Sequence, residues 1–363
     1  MDETLESLLL LNAIGADYRL LNKINLLGLH IEEIKKNINV FQKEHLLTEN
    51  AINNLVKKIS SNWCENELEK ATRYDTNIIK CFDSDYPQEL FDLKDAPLIL
   101  YCKGNLSRKA EKIYAIVGTR NASPYAKKVA YNLGSLCSKH SCVAVSGGAY
   151  GIDSEVHLGV CASGGVTYSV LGSGVDVSFP SSNRELFCNI VTKGALISEF
   201  PMGEKPKPWN FPKRNRIIAA LSEKLLVVEA PLKSGAMITS KIALELGREV
   251  WAVPGRITDS FSEGNNRLIF DGAYPYLDER DFFDIENSFS NSTINSAMRN
   301  DFIKLSLLEQ RVLAFVKQSG EQTVDSIVGA LALSSTEVLT SLSILIVNDL
   351  IYKSGTGRYS ANI

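Results

Sequence analysis

Hydrophobic residues recur at helical spacing from the start of the chain to about residue 75. Leu5 and Leu8 open this pattern, and Gly15 and Gly28 interrupt it, because glycine is a poor helix former. The pattern therefore predicts several short helices rather than one long helix. We expect these helices to form a small N-terminal domain over residues 1–80.

Short apolar runs then alternate with amphipathic stretches from about residue 113 to residue 276. The runs are IYAIV (113–117), CVAVS (142–146), VTYSVL (166–171), ALISE (195–199), KLLVVEA (224–230) and EVWAV (249–253). This alternation is typical of parallel strands joined by crossover helices, and strands that are apolar throughout are buried on both faces. The sequence therefore predicts an α/β fold with an extended, doubly wound, mostly parallel Rossmann-like sheet over residues 81–283.

The end of the chain changes pattern twice. Residues 284–300 are rich in Ser and Asn and lack a hydrophobic period, which predicts a linker. Three amphipathic segments follow, and then the stretch LIYKSGTGRYSA alternates around a Gly-containing turn. Three helices and a β-hairpin predict a winged-helix domain over residues 301–363.

The net charge of the whole chain and the local charge of its segments point to different kinds of partner. The formal net charge of −3, with 39 Lys and Arg against 42 Asp and Glu, argues mildly against a nucleic-acid partner. Residues 102–140, however, hold eight basic residues and one acidic residue, Glu111. We expect this basic stretch to coincide with the ligand-facing loops of the sheet.

The seven cysteines contain no CxxC pair, and the four histidines do not cluster. This usage predicts neither a disulfide framework nor a metal site, and scattered reduced thiols indicate a cytoplasmic protein. No run of 18 apolar residues is present, so no membrane partner is expected.

Three predicted strands end in glycine-containing turns that favour an anion. They are VGTR with Arg120, SGGAYGID with Ser146 and Gly147, and KSGAMIT with Ser234, Gly235 and Thr239. Ligands bind at the carboxyl ends of parallel strands, where the free amides of a helix start attract negative charge. The P-loop spacing is missing, which argues against a P-loop ATPase. We interpret Asp153 and His157, one helical turn apart, as a cap and its neighbour rather than a catalytic pair.

The segment FPMGEKPKPWNFPKRNRIIAAL (200–221) combines four prolines with five basic residues and one acidic residue. The prolines predict an extended loop. Trp209 and Phe211 interleave with the cations, and single-stranded nucleic acid is bound by aromatic stacking and backbone charge together. The alternative is that both aromatic side chains are buried.

Ten motifs in this order, from about Tyr86 to Leu277, resemble the DprA family, also called Smf, the DNA-processing protein of natural transformation. They are YPQEL, APLILYCKGN, AIVGTR, SGGAYGID with its following His, LGSGVDVSFPSSN, ISEFPMG, NFPKRNRIIAAL, VVEA, KSGAMITSKIALELGREVWAVPG and SEGNNRLIFDGA. The chain departs from the family at Gly148 and Val156, where an aliphatic residue and Ala are common, and at Phe179, where Tyr is common.

The resemblance implies a non-enzymatic protein that binds and protects incoming single-stranded DNA, loads the RecA recombinase on it, and forms a homodimer through the Rossmann-like domain. No cofactor, metal or catalytic residue is expected. Phosphate would be bound by Arg120, Lys213 and Arg214, amides would be offered by Gly147 and Gly235, and Phe211 would stack on a base. The implied DNA-binding set is Arg120, Ser146, Gly147, Phe211, Lys213, Arg214, Asn215, Ser234, Gly235 and Thr239.

Two other functions stay open at this point. A nucleotide-processing enzyme, similar to nucleoside monophosphate phosphoribohydrolases, needs a carboxylate such as Glu229 or Glu199 near Arg120. In the non-enzymatic interpretation these glutamates hold backbone amides or basic loops. A scaffold with a vestigial pocket is the third possibility.

The flanking domains match the family less closely. The pieces NAIG and INLLG resemble the turns of helix-hairpin-helix or SAM-like domains, which leaves open whether the N-terminal domain contacts DNA or another protein. The C-terminal domain has five basic and six acidic residues, and its candidate recognition helix, SSTEVLTSLSILIVND, has no Lys or Arg. A helix that reads the major groove carries cations or amides. We therefore expect this domain to contact protein rather than duplex DNA.

Overall fold

A computed structural model describes residues 2–30, 32, 34–35, 38–106, 112–284, 306–347, 350–353 and 358–361. The chain forms two compact units, Met1–Asp284 and Ile285–Ile363. The linker predicted over 284–300 lies outside the described residues apart from Asp284.

Five helices form the N-terminal segment, as the hydrophobic pattern predicts. They are α1 (Glu3–Ala13), α2 (Tyr18–Leu26), α3 (Ile38–Lys43), α4 (Glu49–Ser60) and α5 (Trp63–Arg73). Side chains of Asp2, Asp17 and Thr48 cap α1, α2 and α4 by accepting backbone N–H groups. The leucines of α1 belong to the same core as the sheet, and Asn12 donates a hydrogen bond of 2.9 Å to the carbonyl of Glu199. The separate domains expected over 1–80 and 81–283 thus share one core, and their independent folding stays a prediction.

The sheet has nine strands in the order β1-β2-β6-β5-β4-β3-β7-β8-β9. The strands are β1 (Thr76–Lys80), β2 (Ile99–Gly104), β3 (Ile113–Val117), β4 (Val143–Ser146), β5 (Thr167–Val170), β6 (Ala195–Ser198), β7 (Lys224–Val227), β8 (Glu249–Ala252) and β9 (Tyr274–Pro275). The predicted runs form β3 to β8, which are parallel and almost entirely buried, so the α/β prediction is confirmed. The pattern missed β1, β2 and β9, and β2 runs antiparallel to both of its neighbours.

Helices cover both faces of this sheet, as a doubly wound fold requires. They are α6 (Pro124–Lys139), α7 (Ile152–Ala162), α8 (Arg184–Val191), α9 (Asn210–Leu221), α10 (Gly235–Glu245), α11 (Glu263–Phe270) and the short α12 (Glu279–Phe282). Short 3-10 turns occupy Gln88–Asp92 and Ser181–Asn183. The first turn of α6 follows a Ser-Pro pair, in which Ser123 caps the helix and Pro124 occupies a position where no N–H is needed.

The second unit contains α13 (Leu307–Ser319), α14 (Val324–Leu331), α15 (Ser335–Val347), and the antiparallel pair β10 (Ile351–Lys353) and β11 (Tyr359–Ala361). Ser306 and Glu309 form a capping box at the start of α13. These are the elements predicted for a winged helix. Among the described helices, none is by itself long and apolar enough to cross a membrane. Only α14 and α15 taken together, bent by 115°, have that length and composition.

Candidate nucleic-acid interface

The carboxyl ends of β3, β4 and β7, with the first turns of α9 and α10, surround a cavity of about 320 Å³. A second cavity of about 60 Å³ lies at the ends of β4 and β5, and Arg120, Phe211 and Arg214 line both. Seven of the predicted DNA-binding residues line the larger cavity: Arg120, Phe211, Arg214, Asn215, Ser234, Gly235 and Thr239. Gly147 lines the smaller one. The parallel sheet thus brings together turns that are distant in sequence.

Arg120 is an exposed cation that follows β3 directly. Its guanidinium carbon lies 4.7 Å from the ring centroid of Phe211, and the Phe211 ring lies 5.8 Å from that of Phe179. Among the described residues, no carboxylate pairs with Arg120. A cation held over an aromatic face and left without an acidic partner is available to a phosphate. Stacking of Phe211 on a base stays a prediction.

Arg214, in contrast, is buried, and its Nε and one terminal nitrogen are bonded to protein groups. Its guanidinium donates to the carbonyls of Gly147 and Val170, at the ends of β4 and β5, and its Nε donates to Asn215 Oδ1 at 3.1 Å. Asn215 in turn donates to the carbonyl of Gly235 at 3.3 Å, where α10 begins. A Cβ at Gly147 would overlap the guanidinium, so only glycine fits there. Arg214 therefore braces three walls of the cavity, and its predicted contact with phosphate remains untested.

Asp153 and His157 lie on α7 beneath this brace. Gly151 is the N-cap of α7, so the predicted cap at Asp153 was wrong; its carboxylate instead accepts from the amide of Ala149 at 3.3 Å. Burial raises the pKa of Asp153, against the charge of Arg214, which lowers it. Burial, and then the charge of Arg214, lowers the pKa of His157 to about 3. The imidazole is therefore neutral, which suits a core residue.

His157 also has a defined tautomer. Thr167 donates its hydroxyl proton to the carbonyl of Ala144 at 2.8 Å, so its oxygen accepts from His157 Nδ1 at 2.8 Å. Both side chains are fully or almost fully buried away from the cavity. The structure thus supports the non-catalytic interpretation of this histidine.

The wall at α10 offers hydroxyls and a cation. Ser234 is the N-cap of α10, and its Oγ is buried without a partner among the described residues. Thr239 Oγ1 donates to the carbonyl of Gly235 at 3.0 Å, so this hydroxyl is already used within the helix. Lys233 lines the same cavity, is exposed, and has no acidic partner in the described part of the chain. Sequence reasoning missed Lys233, although it lies in the glycine-containing turn KSGAMIT, from which Ser234, Gly235 and Thr239 were predicted.

Two predicted residues do not reach either cavity. Ser146 is buried and donates to the carbonyl of Ile116 at 2.7 Å. Lys213 Nζ lies 3.2 Å from Glu199 Oε2 and over the ring of Phe200. Neither residue is placed to contact a ligand in the cavity.

The two glutamates of the enzymatic alternative are occupied elsewhere. Glu229 accepts from the amide and the hydroxyl of Ser123 at 2.8 and 2.7 Å. Glu199 pairs with Arg216 at 2.6 Å as well as with Lys213. Neither glutamate lines the cavities described above. Glu229 holds a backbone amide and Glu199 holds a basic segment, and these are the roles that the non-enzymatic interpretation gives them.

The basic stretch 102–140 does not lie together at the ligand edge. Lys103, Lys112 and Lys139 lie at the amino edge of the parallel strands, because each crossover helix returns the chain to the opposite end of the sheet. Lys112 and Lys139 pair there with acidic side chains. Arg108, Lys109 and Glu111 are outside the described residues. Of the basic residues of this stretch that the structure describes, only Arg120 lines the cavity, so the expectation for the amino-edge lysines was wrong.

The Pro-rich segment is only partly a loop. The helix α9 begins at Asn210, and Pro212 fits its first turn because no intrahelical N–H bond is needed there. Trp209 is 68% exposed just before the helix, whereas Phe211 is half-buried. The two aromatic side chains thus have different environments, and neither is fully buried.

The chain matches the family model described as DNA recombination-mediator protein A over residues 77–286, which is more than half of its length. It is 41% identical over 192 residues to the DNA processing protein DprA of Streptococcus pneumoniae (strain ATCC BAA-255 / R6), covering 53% of this chain and 67% of that protein.

Two solved structures are similar to this one. The X-ray structure of DNA processing protein A from Streptococcus pneumoniae matches with a TM-score of 0.66 and 30% identity, over 78% of this chain and 95% of that chain. A structure concerned with the single-stranded DNA binding mode of DNA processing protein A from Helicobacter pylori matches with a TM-score of 0.53 and 28% identity, over 58% of this chain and 95% of that chain. The match to this family model over more than half of its length shows that the chain belongs to the DNA recombination-mediator protein A family.

Proposed function

We propose that this protein is a recombination mediator that binds single-stranded DNA in the cavity at the carboxyl edge of its sheet. The observation that carries the proposal is the pair of exposed cations, Arg120 and Lys233, that line this cavity without acidic partners in the described residues. The first turn of α10 adds backbone N–H groups, which attract a phosphate.

Binding of this kind depends strongly on salt and weakly on sequence. The test is fluorescence anisotropy with labelled oligothymidylate and mixed-sequence oligonucleotides over a range of salt concentrations. The logarithm of the binding constant should fall linearly with the logarithm of salt concentration, by about 0.7 for each phosphate neutralised. Binding that is independent of salt, or confined to duplex DNA, would overturn the proposal.

We further propose that the protein protects incoming DNA and loads RecA on it during natural transformation. The support is the family to which the chain belongs. The test follows RecA assembly, by its ATP hydrolysis, on single strands already coated with a single-strand-binding protein. The wild type should shorten the lag before assembly, and Arg120→Ala should not. An unchanged lag with the wild type would contradict this role.

A homodimer through the sheet domain is also proposed. Large apolar side chains are exposed around the edge strand β9: Ile257 at 92%, Phe270 at 79% and Leu277 at 74%. Large exposed apolar side chains near an open sheet edge suit an interface. Light scattering should report a dimer for the wild type and a monomer for Phe270→Glu combined with Leu277→Glu. A monomeric wild type would contradict the proposal.

A further inference from the structure

The outer face of α6 carries four exposed side chains that the cavity does not use: Tyr125, Lys127, Lys128 and Tyr131, here called the α6 strip. Tyr125 is 64% exposed and Tyr131 is 38% exposed. Tyr125 and Lys128 are three residues apart, as are Lys128 and Tyr131, so they are neighbours along one side of the helix. Aromatic rings and cations therefore alternate over about 9 Å of helix.

The charges of the α6 strip are not neutralised. The helix has no Asp or Glu from Pro124 to Lys139. Among the described residues, Lys127 and Lys128 have no carboxylate partner, whereas Lys139 at the far end of the helix pairs with Glu279 at 3.0 Å. Unpaired lysines beside exposed tyrosines suit a polyanion whose bases can stack.

The α6 strip also begins at the same edge of the sheet as the cavity. The helix α6 begins after the turn that holds Arg120, and Ser123 at its N-cap is held by Glu229 through two hydrogen bonds. The start of the helix is therefore fixed at the carboxyl edge, and Tyr125 lies in its first turn. A strand bound in the cavity has a basic and aromatic surface beside it rather than an acidic one.

We infer that the α6 strip is a second subsite, which binds the part of a single strand that extends beyond the cavity. The inference rests on the proposed function and adds to it a path for the strand. The lysines contact phosphates and the tyrosines stack on bases. Each such stack strengthens binding by about 5- to 150-fold in other single-strand binders.

The test compares two lengths of oligothymidylate, about 5 and about 30 nucleotides, of which only the longer reaches past the cavity. The variants are Lys127→Ala/Lys128→Ala and Tyr125→Ala/Tyr131→Ala in the full chain. A matched control, Lys57→Ala/Lys94→Ala, removes two exposed lysines elsewhere and gives the same change of net charge. Circular dichroism and thermal melting check that every variant is folded.

For the long oligonucleotide, the lysine variant should reduce the magnitude of the salt slope by about 1.4, because two phosphate contacts are lost. The tyrosine variant should lower affinity at least about 30-fold at every salt concentration without changing the slope. Affinity for the short oligonucleotide, and all binding by the control, should change less than about twofold.

Other outcomes separate the two proposals. If the wild type binds both lengths and neither strip variant weakens the longer one, the α6 strip is not a subsite, although the cavity still binds DNA. Equal losses for both lengths would also overturn the inference. If the wild type binds neither oligonucleotide, the proposed function itself fails. A change in oligomeric state of the strip variants would assign this face to contact with a second copy, which overturns the inference as well.

Discussion

Cations at the two edges of the parallel sheet have different surroundings. At the amino edge, Lys224 lies 2.6 Å from Asp284 and Lys112 lies 3.4 Å from the same carboxylate. At the carboxyl edge, Arg120 and Lys233 line a cavity and have no acidic partner among the described residues. Lys112 and Lys224 use their charge to hold the chain together, whereas Arg120 and Lys233 leave theirs exposed to a ligand.

This comparison indicates that a binding surface is identified by cations without acidic partners rather than by the number of cations. A count along residues 102–140 groups Lys112 with Arg120, although the two residues lie at opposite edges. Paired surface ions contribute little to binding because their field is largely cancelled. An unpaired cation beside a helix start attracts a phosphate.

The largest expected effect is on stability and concerns Arg214. This residue lies at the carboxyl edge, but, like Lys224 at the amino edge, it is buried and bonded to protein groups. Arg214→Met should lower the free energy of unfolding by about 3–5 kcal/mol, because the change leaves two carbonyls unpaired and Asp153 without a compensating charge. Urea denaturation measures the loss. Arg120→Met is the matched control and should change stability by less than about 0.5 kcal/mol. Equal losses of unfolding free energy in the two variants would show that Arg214 is no more important for stability than Arg120.

The next effect is on affinity for single-stranded DNA. Arg120→Ala should weaken binding about 10- to 100-fold, since a hydrogen bond to a charged group contributes about 1.5–3 kcal/mol. Lys112→Ala should leave affinity within about twofold. Anisotropy titrations of both variants at one salt concentration check this. If Lys112→Ala weakens binding as much, net charge rather than pairing governs affinity.

A smaller effect is expected on stability from the amino edge. Lys224 is buried, donates to the carbonyl of Phe282 at 3.2 Å, and pairs with Asp284. Lys224→Met should lower the free energy of unfolding by about 1–2 kcal/mol, less than for Arg214 because the half-exposed Asp284 regains water. DNA affinity should not change. A double-mutant cycle with Asp284→Ala that shows no coupling would contradict this account.

The smallest effect is a dependence on pH. Partial burial opposes ionisation of Asp284, but hydrogen bonds and charges from Lys224 and Lys112 outweigh it and lower its pKa. The carboxylate therefore adds stability above its unfolded pKa of about 3.9, and this stability is lost as pH falls through the lower folded pKa. The stability difference between wild type and Asp284→Asn should shrink below about pH 4 in urea denaturation. If the stability difference between wild type and Asp284→Asn is the same at every pH, the ion pair between Asp284 and Lys224 does not stabilise the fold.

The central strands are predictable because each is a continuous apolar run, as buried parallel strands are. The strand β1, TNIIK, alternates weakly and lies at the edge of the sheet, so its pattern resembles a loop. The strand β2 contains the apolar run ILYC, but its pairing follows from no local feature, since its antiparallel partner β6 is distant in the sequence. What the pattern misses is therefore the non-local extension of the sheet.

In the candidate site too, some features follow from the local sequence and others depend on the fold. Arg120 follows a predicted strand end, and that position places it at the ligand edge. Lys213 and Arg214 are adjacent and both basic, yet one faces Glu199 and the other enters the core. Their directions depend on where α9 begins, which is Asn210, inside the segment that its prolines predict to be a loop. The direction of a side chain on a helix cannot be predicted when the start of the helix is not predicted correctly.

The place of β2 in the sheet has a consequence for synthesis. One neighbour, β1, precedes it closely, whereas Tyr101 of β2 pairs with Ser198 of β6. At a synthesis rate of about 5–20 residues per second, β6 leaves the ribosome roughly 5–20 seconds after β2. Throughout that interval β2 has an open, apolar edge that can pair with other chains. The N-terminal half of the nascent protein therefore depends on rapid chain elongation or on a chaperone until the sixth strand arrives.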